Sequence, residues 1–252
     1  MGAAPRAADG HALALSRREG AAGGGLGGMS TRKFMIIGGR TDDFEREFAC
    51  AADIVCLDLE DTVPVDRKEA TRQATEAFIG LGGKLGRATA VRIAALSTSD
   101  GLRDLLLMQA LPRLPDMVVL SKAESAREVA IVQQLLAPKG AFHLQPIIET
   151  AQALSVVEQI AAVPGVGSIS LGGKDLSESL RVARDWEPLL YARSRSSAAA
   201  AMAGVPIVDG PQSRDTSVDG LRKLCQQLKA LGFAGKSAIF PEHLDVINAV
   251  WG

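Results

Sequence analysis

"FHLQPIIETAQALSVVEQIAA", residues 142–162, holds a strand, a charged turn and a helix in one run. Residues 142–149 have strand length and β-forming composition, whereas from Thr150 onward the apolar positions recur at three and four residues. A helix with that period buries one stripe against a sheet. A strand feeding such a helix is half of a right-handed parallel βαβ unit.

The same alternation extends in both directions. Strand candidates are "KFMIIGG" (33–39), "DIVCLDL" (53–59), "TAVRIA" (89–94), "DMVVLSK" (116–122), "FHLQPIIE" (142–149), "VGSISLGG" (166–173), "GVPIVDG" (204–210) and "KSAIFP" (236–241). Helical stretches such as "ESAREVAIVQQLL" (124–136) lie between them. Eight strands spaced by helices predict an α/β fold, a single-domain (β/α)8 TIM barrel over residues 31–252. A doubly wound open sheet is the alternative; its dinucleotide-binding form is disfavoured because "IIGGRTDD" lacks the third glycine and the ribose-binding acid. Residues 1–30, rich in Gly and Ala, read as a disordered or non-native extension, with an organelle presequence as the alternative.

Of 252 residues, 47% are hydrophobic and 4% aromatic, and the formal charge is -1. A chain so balanced has no basic field for nucleic acid or an anionic membrane, and small metabolites remain as partners. No apolar run reaches the roughly 18 residues of a membrane span. Cys50, Cys56 and Cys225 are odd in number and widely spaced, which points to packing and a reducing compartment, with a cytoplasmic location expected.

In a parallel barrel, chemistry gathers where the strands end. The first strand ends in Arg40, the second in Asp58, Glu60 and Asp61, the third in Arg92, and the fourth in Lys122 and Glu124. The remaining ends carry Glu149, then Lys174 with Asp175, then Asp209, then Phe240. Taken singly, a carboxylate such as Asp61 or Glu149 also reads as a helix cap. Together they form a cup of hard oxygen ligands ringed by cations, the setting in which two carboxylates hold Mg2+. His11, His143 and His243 are scattered, which disfavours a His-based metal site. On the second strand Val55 to Leu57 is expected to build core. Asp58 shares a face with Glu60 two positions on, and reads as a buried structural acid.

The ordered set "LDLEDTVPVDRKEATR" (57–72), "AVRI" (90–93), "LSKAES" (120–125), "PIIETAQAL" (146–154), "LGGKDL" (171–176), "LLYARSR" (189–195), "PIVDG" (206–210) and "GFAGKSAIFPEHLDVIN" (232–248) resembles the citrate lyase beta-subunit-like, or HpcH/HpaI aldolase, superfamily. The resemblance implies a Mg2+-dependent carbon–carbon lyase. It implies Glu149 and Asp175 as metal ligands and Arg92, Glu60 and Asp61 as catalytic groups. Arg40, Arg92, Lys122 and Glu149 are the implied substrate contacts. The implied substrate is a CoA or acyl-carrier thioester of the citryl, malyl or citramalyl type, split by a retro-Claisen route into an acetyl thioester and a 2-keto acid. A trimer or hexamer is the implied assembly. The alternatives are a pyruvate-dependent aldolase and an impaired barrel that only binds a ligand or subunit.

Departures from the family pattern stand at Ser121, Ala94, Lys174 and Phe240. The chain ends at "INAVWG", where many relatives continue into a segment that covers a neighbouring active site and carries an acid for thioester hydrolysis. The resemblance therefore does not carry hydrolysis of the product over to this chain.

Overall fold

The computed structural model describes residues 33–37 and 43–252, with Ile36 the described side chain of the first strand. Arg40 and residues 1–30 lie outside the described residues.

All eight expected strands form: β1 Lys33–Ile37, β2 Ile54–Asp58, β3 Ala88–Ile93, β4 Met117–Leu120, β5 His143–Ile148, β6 Ile169–Leu171, β7 Ile207–Asp209 and β8 Gly235–Ala238. They pair in parallel and in chain order. Pairs such as Met35↔Ala238 join β8 back to β1, so the sheet closes into a barrel. The helices are α1 Phe44–Phe48, α2 Lys68–Lys84, α3 Ser99–Ala110, α4 Ala126–Leu136, α5 Ala151–Ser155 and α6 Val157–Ala161. They continue as α7 Gly173–Leu180, α8 Trp186–Ala203, α9 Val218–Ala230 and α10 Glu242–Trp251.

Strand alternation divides the apolar residues into two layers. Ile54, Cys56, Ala90, Met117, Val119 and Ile147 form a small cluster inside the barrel. Val55, Leu57, Val91, Ile93, Val118, Leu120, Leu144 and Ile148 point outward and pack beneath the helices in the larger core. Val55 to Leu57 is thus split across both layers: only Cys56 faces inward.

The helix expected over 150–162 is broken. Thr150 caps α5 by accepting from the Ala153 N–H, and the helix stops at Ser155, where Val156 adopts φ -127°. The Ser155 hydroxyl donates back to the Gln152 carbonyl, and two β-branched valines follow. Such residues restrict χ1 against the preceding turn and weaken helix continuation. Both pieces still bury their apolar faces, through Ala153, Leu154, Val157 and Ile160.

Stronger local signals hold the other βα turns. Ser125 and Glu128 form a reciprocal capping box at α4. At α3, a Cβ on Gly101 would meet the Ala95 carbonyl oxygen at 2.0 Å, so only glycine fits. The stretch "SSAAAAMAG" lies at the end of α8, where Ser196, Ala199 and Ala200 are buried and α8 packs on α6. No helix among the described residues is long and apolar enough to cross a membrane.

Candidate active site

Arg92 occupies an inward position near the end of β3, and its neighbours hold its guanidinium in place. Its Nε and one terminal nitrogen donate to the two carboxylate oxygens of Asp58, both at 2.6 Å, and the other terminal nitrogen lies 3.2 Å from Glu60 Oε2. Asp58 is fully buried and ties up further groups: it accepts from the Glu60 N–H and from both the N–H and hydroxyl of Thr62. One carboxylate therefore fixes the loop after β2 and orients the arginine of β3. Burial alone would raise the pKa of Asp58, but the Arg92 charge and these hydrogen bonds overcome it and hold it below the ordinary value. Burial likewise works against the charge on Arg92, yet Asp58 and Glu60 hold its pKa above the usual arginine value.

Glu60 is buried and links Arg92 to Lys122. The Lys122 ammonium donates to Glu60 Oε1 and lies 3.6 Å from Asp61. Lys122 adopts φ +46°, a left-handed conformation uncommon outside glycine. In that conformation its backbone N–H donates to Glu149 Oε1 at 2.7 Å. The bent backbone after β4 thus aims one donor at each of two carboxylates.

Glu149, at the end of β5, is 2% exposed. Its pKa is pushed up to about 8 by burial first and then by the charge of Glu60; Asp175 adds to the rise, while Arg92 and the Lys122 N–H oppose it. Gly172 makes room for it, since a Cβ there would lie 2.5 Å from Glu149 Oε2. Asp175 stands in the first turn of α7, after β6, and its Oδ1 lies 3.6 Å from the Lys174 ammonium. Lys174 is mostly exposed, and Asp175 is less so.

Arg92, Asp61, Glu149, Lys174 and Asp175 line one cavity of about 320 Å³ at the C-terminal end of the barrel. Of the site residues read from sequence, these come together there. Glu60 and Lys122 form the layer that fixes Arg92 and Glu149, and the Lys122 ammonium is engaged by Glu60 and Asp61. Among the described residues no three His, Cys, Asp or Glu side chains form a metal cage. Three carboxylates line the cavity: Glu149 deeply buried, Asp61 and Asp175 more exposed. Such a donor set suits Mg2+, which keeps water and substrate oxygens in its remaining positions.

One strand end differs from expectation. Asp209 pairs in register with Leu171 and Lys236, on the outward face of the sheet, and its carboxylate takes a buried bond from the Lys236 ammonium. It belongs under the helices, not at the mouth. Phe240 does line the cavity, with the Arg214 guanidinium 4.7 Å from its ring centroid. Neither Asp61 nor Glu149 caps a helix; the caps are Pro64 and Thr150.

Other lining residues carried no motif. Gln145 and Ser170 are inward strand positions that parity alone could have assigned. Arg184 and Gln212 come from loops without a local signature.

Residues 36–241 match the model of the HpcH/HpaI aldolase/citrate lyase family. The chain is 33% identical over 246 residues to the L-malyl-CoA/beta-methylmalyl-CoA lyase of Cereibacter sphaeroides, an alignment that covers 85% of this chain and 76% of that protein. Its fold is similar to that of RipC from Yersinia pestis, with a TM-score of 0.79, 31% identity, and coverage of 89% of this chain and 96% of the other. It is also similar to CitE from Mycobacterium tuberculosis, solved with magnesium, acetoacetate and coenzyme A, at a TM-score of 0.73, 28% identity, and coverage of 87% and 80%. The chain belongs to the HpcH/HpaI aldolase/citrate lyase family, and it is an enzyme of the carbon–carbon lyase class.

Proposed function

We propose that this TIM-barrel protein cleaves a β-hydroxyacyl thioester of the citryl-, malyl- or citramalyl-CoA type, with Mg2+ as cofactor, releasing an acetyl thioester and a 2-keto acid. The carrying observation is the cavity that Glu149, Asp175 and an immobilised Arg92 share. Cytoplasmic location, a trimeric or hexameric assembly, and a CoA or acyl-carrier handle on the substrate belong to the same proposal.

Glu149 and Asp175 would hold Mg2+, which when bound chelates the hydroxy-acid half and lowers the pKa of its hydroxyl. Breaking the carbon–carbon bond leaves an enolate on the acetyl thioester. Arg92 supplies a fixed positive charge for that oxygen. Its guanidinium is already oriented by Asp58 and Glu60, so little reorganisation is needed as charge develops. Asp61 is the most exposed of the lining carboxylates and serves as acceptor, directly or through water, for the hydroxyl proton; a proton returned by the same route to the enolate carbon completes the acetyl group. Glu60 acts one step back, holding Arg92 and Lys122 in place. Lys122, through its backbone N–H, keeps Glu149 Oε1 turned to one side and leaves Oε2 beside Gly172.

The lyase reading is favoured over a free-acid aldolase by the "LDLED" segment, which supplies both Asp58 to orient Arg92 and Asp61 to the cavity. Its test is incubation of the protein with Mg2+ and citryl-, malyl- and citramalyl-CoA, following acetyl-CoA and keto acid together. Equal release of both from one thioester is expected. Intact Mg2+ binding with no cleavage of any of the three would sink it.

A further inference from the structure

Three cations line the active-site cavity among the described residues, and two of them have acidic partners. Arg92 is held by Asp58 and Glu60, and Lys174 lies beside Asp175. Arg184, in the loop between α7 and α8, is different. One terminal nitrogen donates to the Pro211 carbonyl, its Nε is buried without a hydrogen-bond partner, and no carboxylate of the described residues lies in ion-pair range.

The layer behind it adds positive charge. Arg193 is 3% exposed, donates to the Asp185 and Trp186 carbonyls, and has its guanidinium 4.9 Å from the Trp186 ring centroid. Burial holds its pKa below the ordinary value; the charge of Asp209 opposes this and that of Arg184 adds to it. Asp209 itself is engaged by Lys236. The wall formed by the α7–α8 loop and the segment after β7 thus presents a guanidinium that no carboxylate of the described residues engages in an ion pair. Gln212 and Ser213 line the same wall and can add neutral hydrogen bonds. A partly desolvated guanidinium is costly without an acid, and its planar fork matches a carboxylate. None of the lining carboxylates Asp61, Glu149 and Asp175 forms an ion pair with Arg184; Asp61 and Asp175 lie instead beside Lys122 and Lys174.

We propose that Arg184 is a specificity-determining residue: it takes a second carboxylate on the keto-acid half of the substrate, so that the enzyme favours thioesters whose cleavage releases a dicarboxylic keto acid. This inference rests on the lyase reading above. It goes further by selecting the citryl-like substrates over those that release a monocarboxylic acid.

Oxaloacetate and pyruvate differ by one carboxylate, which makes them suitable probes. Their binding to the full chain with Mg2+ is measured by calorimetry for the wild type, Arg184→Gln and Arg184→Lys. The wild type is expected to bind oxaloacetate at least about tenfold more tightly than pyruvate, the range of one hydrogen-bonded charge. Arg184→Gln should reduce that preference to about twofold with pyruvate affinity unchanged, and Arg184→Lys should restore part of it. Pyruvate binding without preference in the wild type, or an intact preference in Arg184→Gln, overturns the inference alone. Loss of pyruvate binding in Arg184→Gln also overturns it, because Arg184 would then support the whole site. If neither acid binds in the presence of Mg2+, the lyase reading falls as well.

Discussion

Two buried ion networks sit at strand ends of this barrel, on opposite faces of the sheet. Asp58, Arg92, Glu60 and Lys122 face inward beside a cavity, whereas Asp209 and Lys236 face outward under the helices. The outward pair is closed: both residues are at most 2% exposed, and the Lys236 ammonium also donates to the Gly210 carbonyl. The inward group is open, with Glu149 pushed up to about 8 and Glu60 Oε2 lacking a hydrogen bond. Strand parity alone separates the two. Similar residue types serve as scaffold on one face and as candidate chemistry on the other.

The largest expected effect is at Arg92. Arg92→Gln should lower kcat by about 10² to 10³-fold, the usual cost of removing one donor to a developing oxyanion. It also leaves Asp58 buried and unpaired, so the chain should lose about 3 kcal/mol in a denaturant titration. Substitution on the outer face should change only the second quantity. Lys236→Met is expected to cost about 3 kcal/mol, with KM and kcat unchanged, and Lys236→Met combined with Asp209→Leu should recover most of the loss. A large kcat effect in Lys236→Met would erase the contrast between the two faces.

Acidity offers a further way to sharpen it. The folded pKa of Asp58 lies below its ordinary 3.8, so its ion pair stabilises the fold above that value and the contribution is lost as the pH falls through the lowered one. Melting temperature should therefore drop on acidification below about pH 4, and the drop attributable to Asp58 should vanish in Asp58→Asn. An Asp58→Asn profile that overlays the wild type would remove Asp58 from the account. The smallest effect is expected at Thr150, whose hydroxyl caps α5 next to Glu149: Thr150→Ala should cost about 1 kcal/mol.

Much of this was legible in the sequence because strand and helix periods differ, and because the eight apolar runs each precede a turn. Arg92, Asp61, Glu149 and Asp175 could be assigned to the mouth for that reason, helped by the resemblance of their flanking segments to a known family. Asp209 was not, since "IVD" reads the same whichever face its last residue takes; only the pairing with Leu171 and Lys236 reveals it. The break at Val156 was hidden by an apolar period that runs through it unchanged. Arg184 sits in a loop where no period operates, and its lack of an acid partner is a three-dimensional fact. The left-handed backbone of Lys122 likewise has no compositional mark, because a lysine there gives no hint of positive φ.

The central claim is that the buried carboxylate of β5 is kept for a metal rather than for stability. It is tested most directly by Mg2+ titration of the melting temperature in the wild type and in Glu149→Gln. The wild type should rise with Mg2+, while the variant should match or exceed the metal-free wild type and stay flat. A Glu149→Gln protein stabilised by Mg2+ as strongly as the wild type would contradict it.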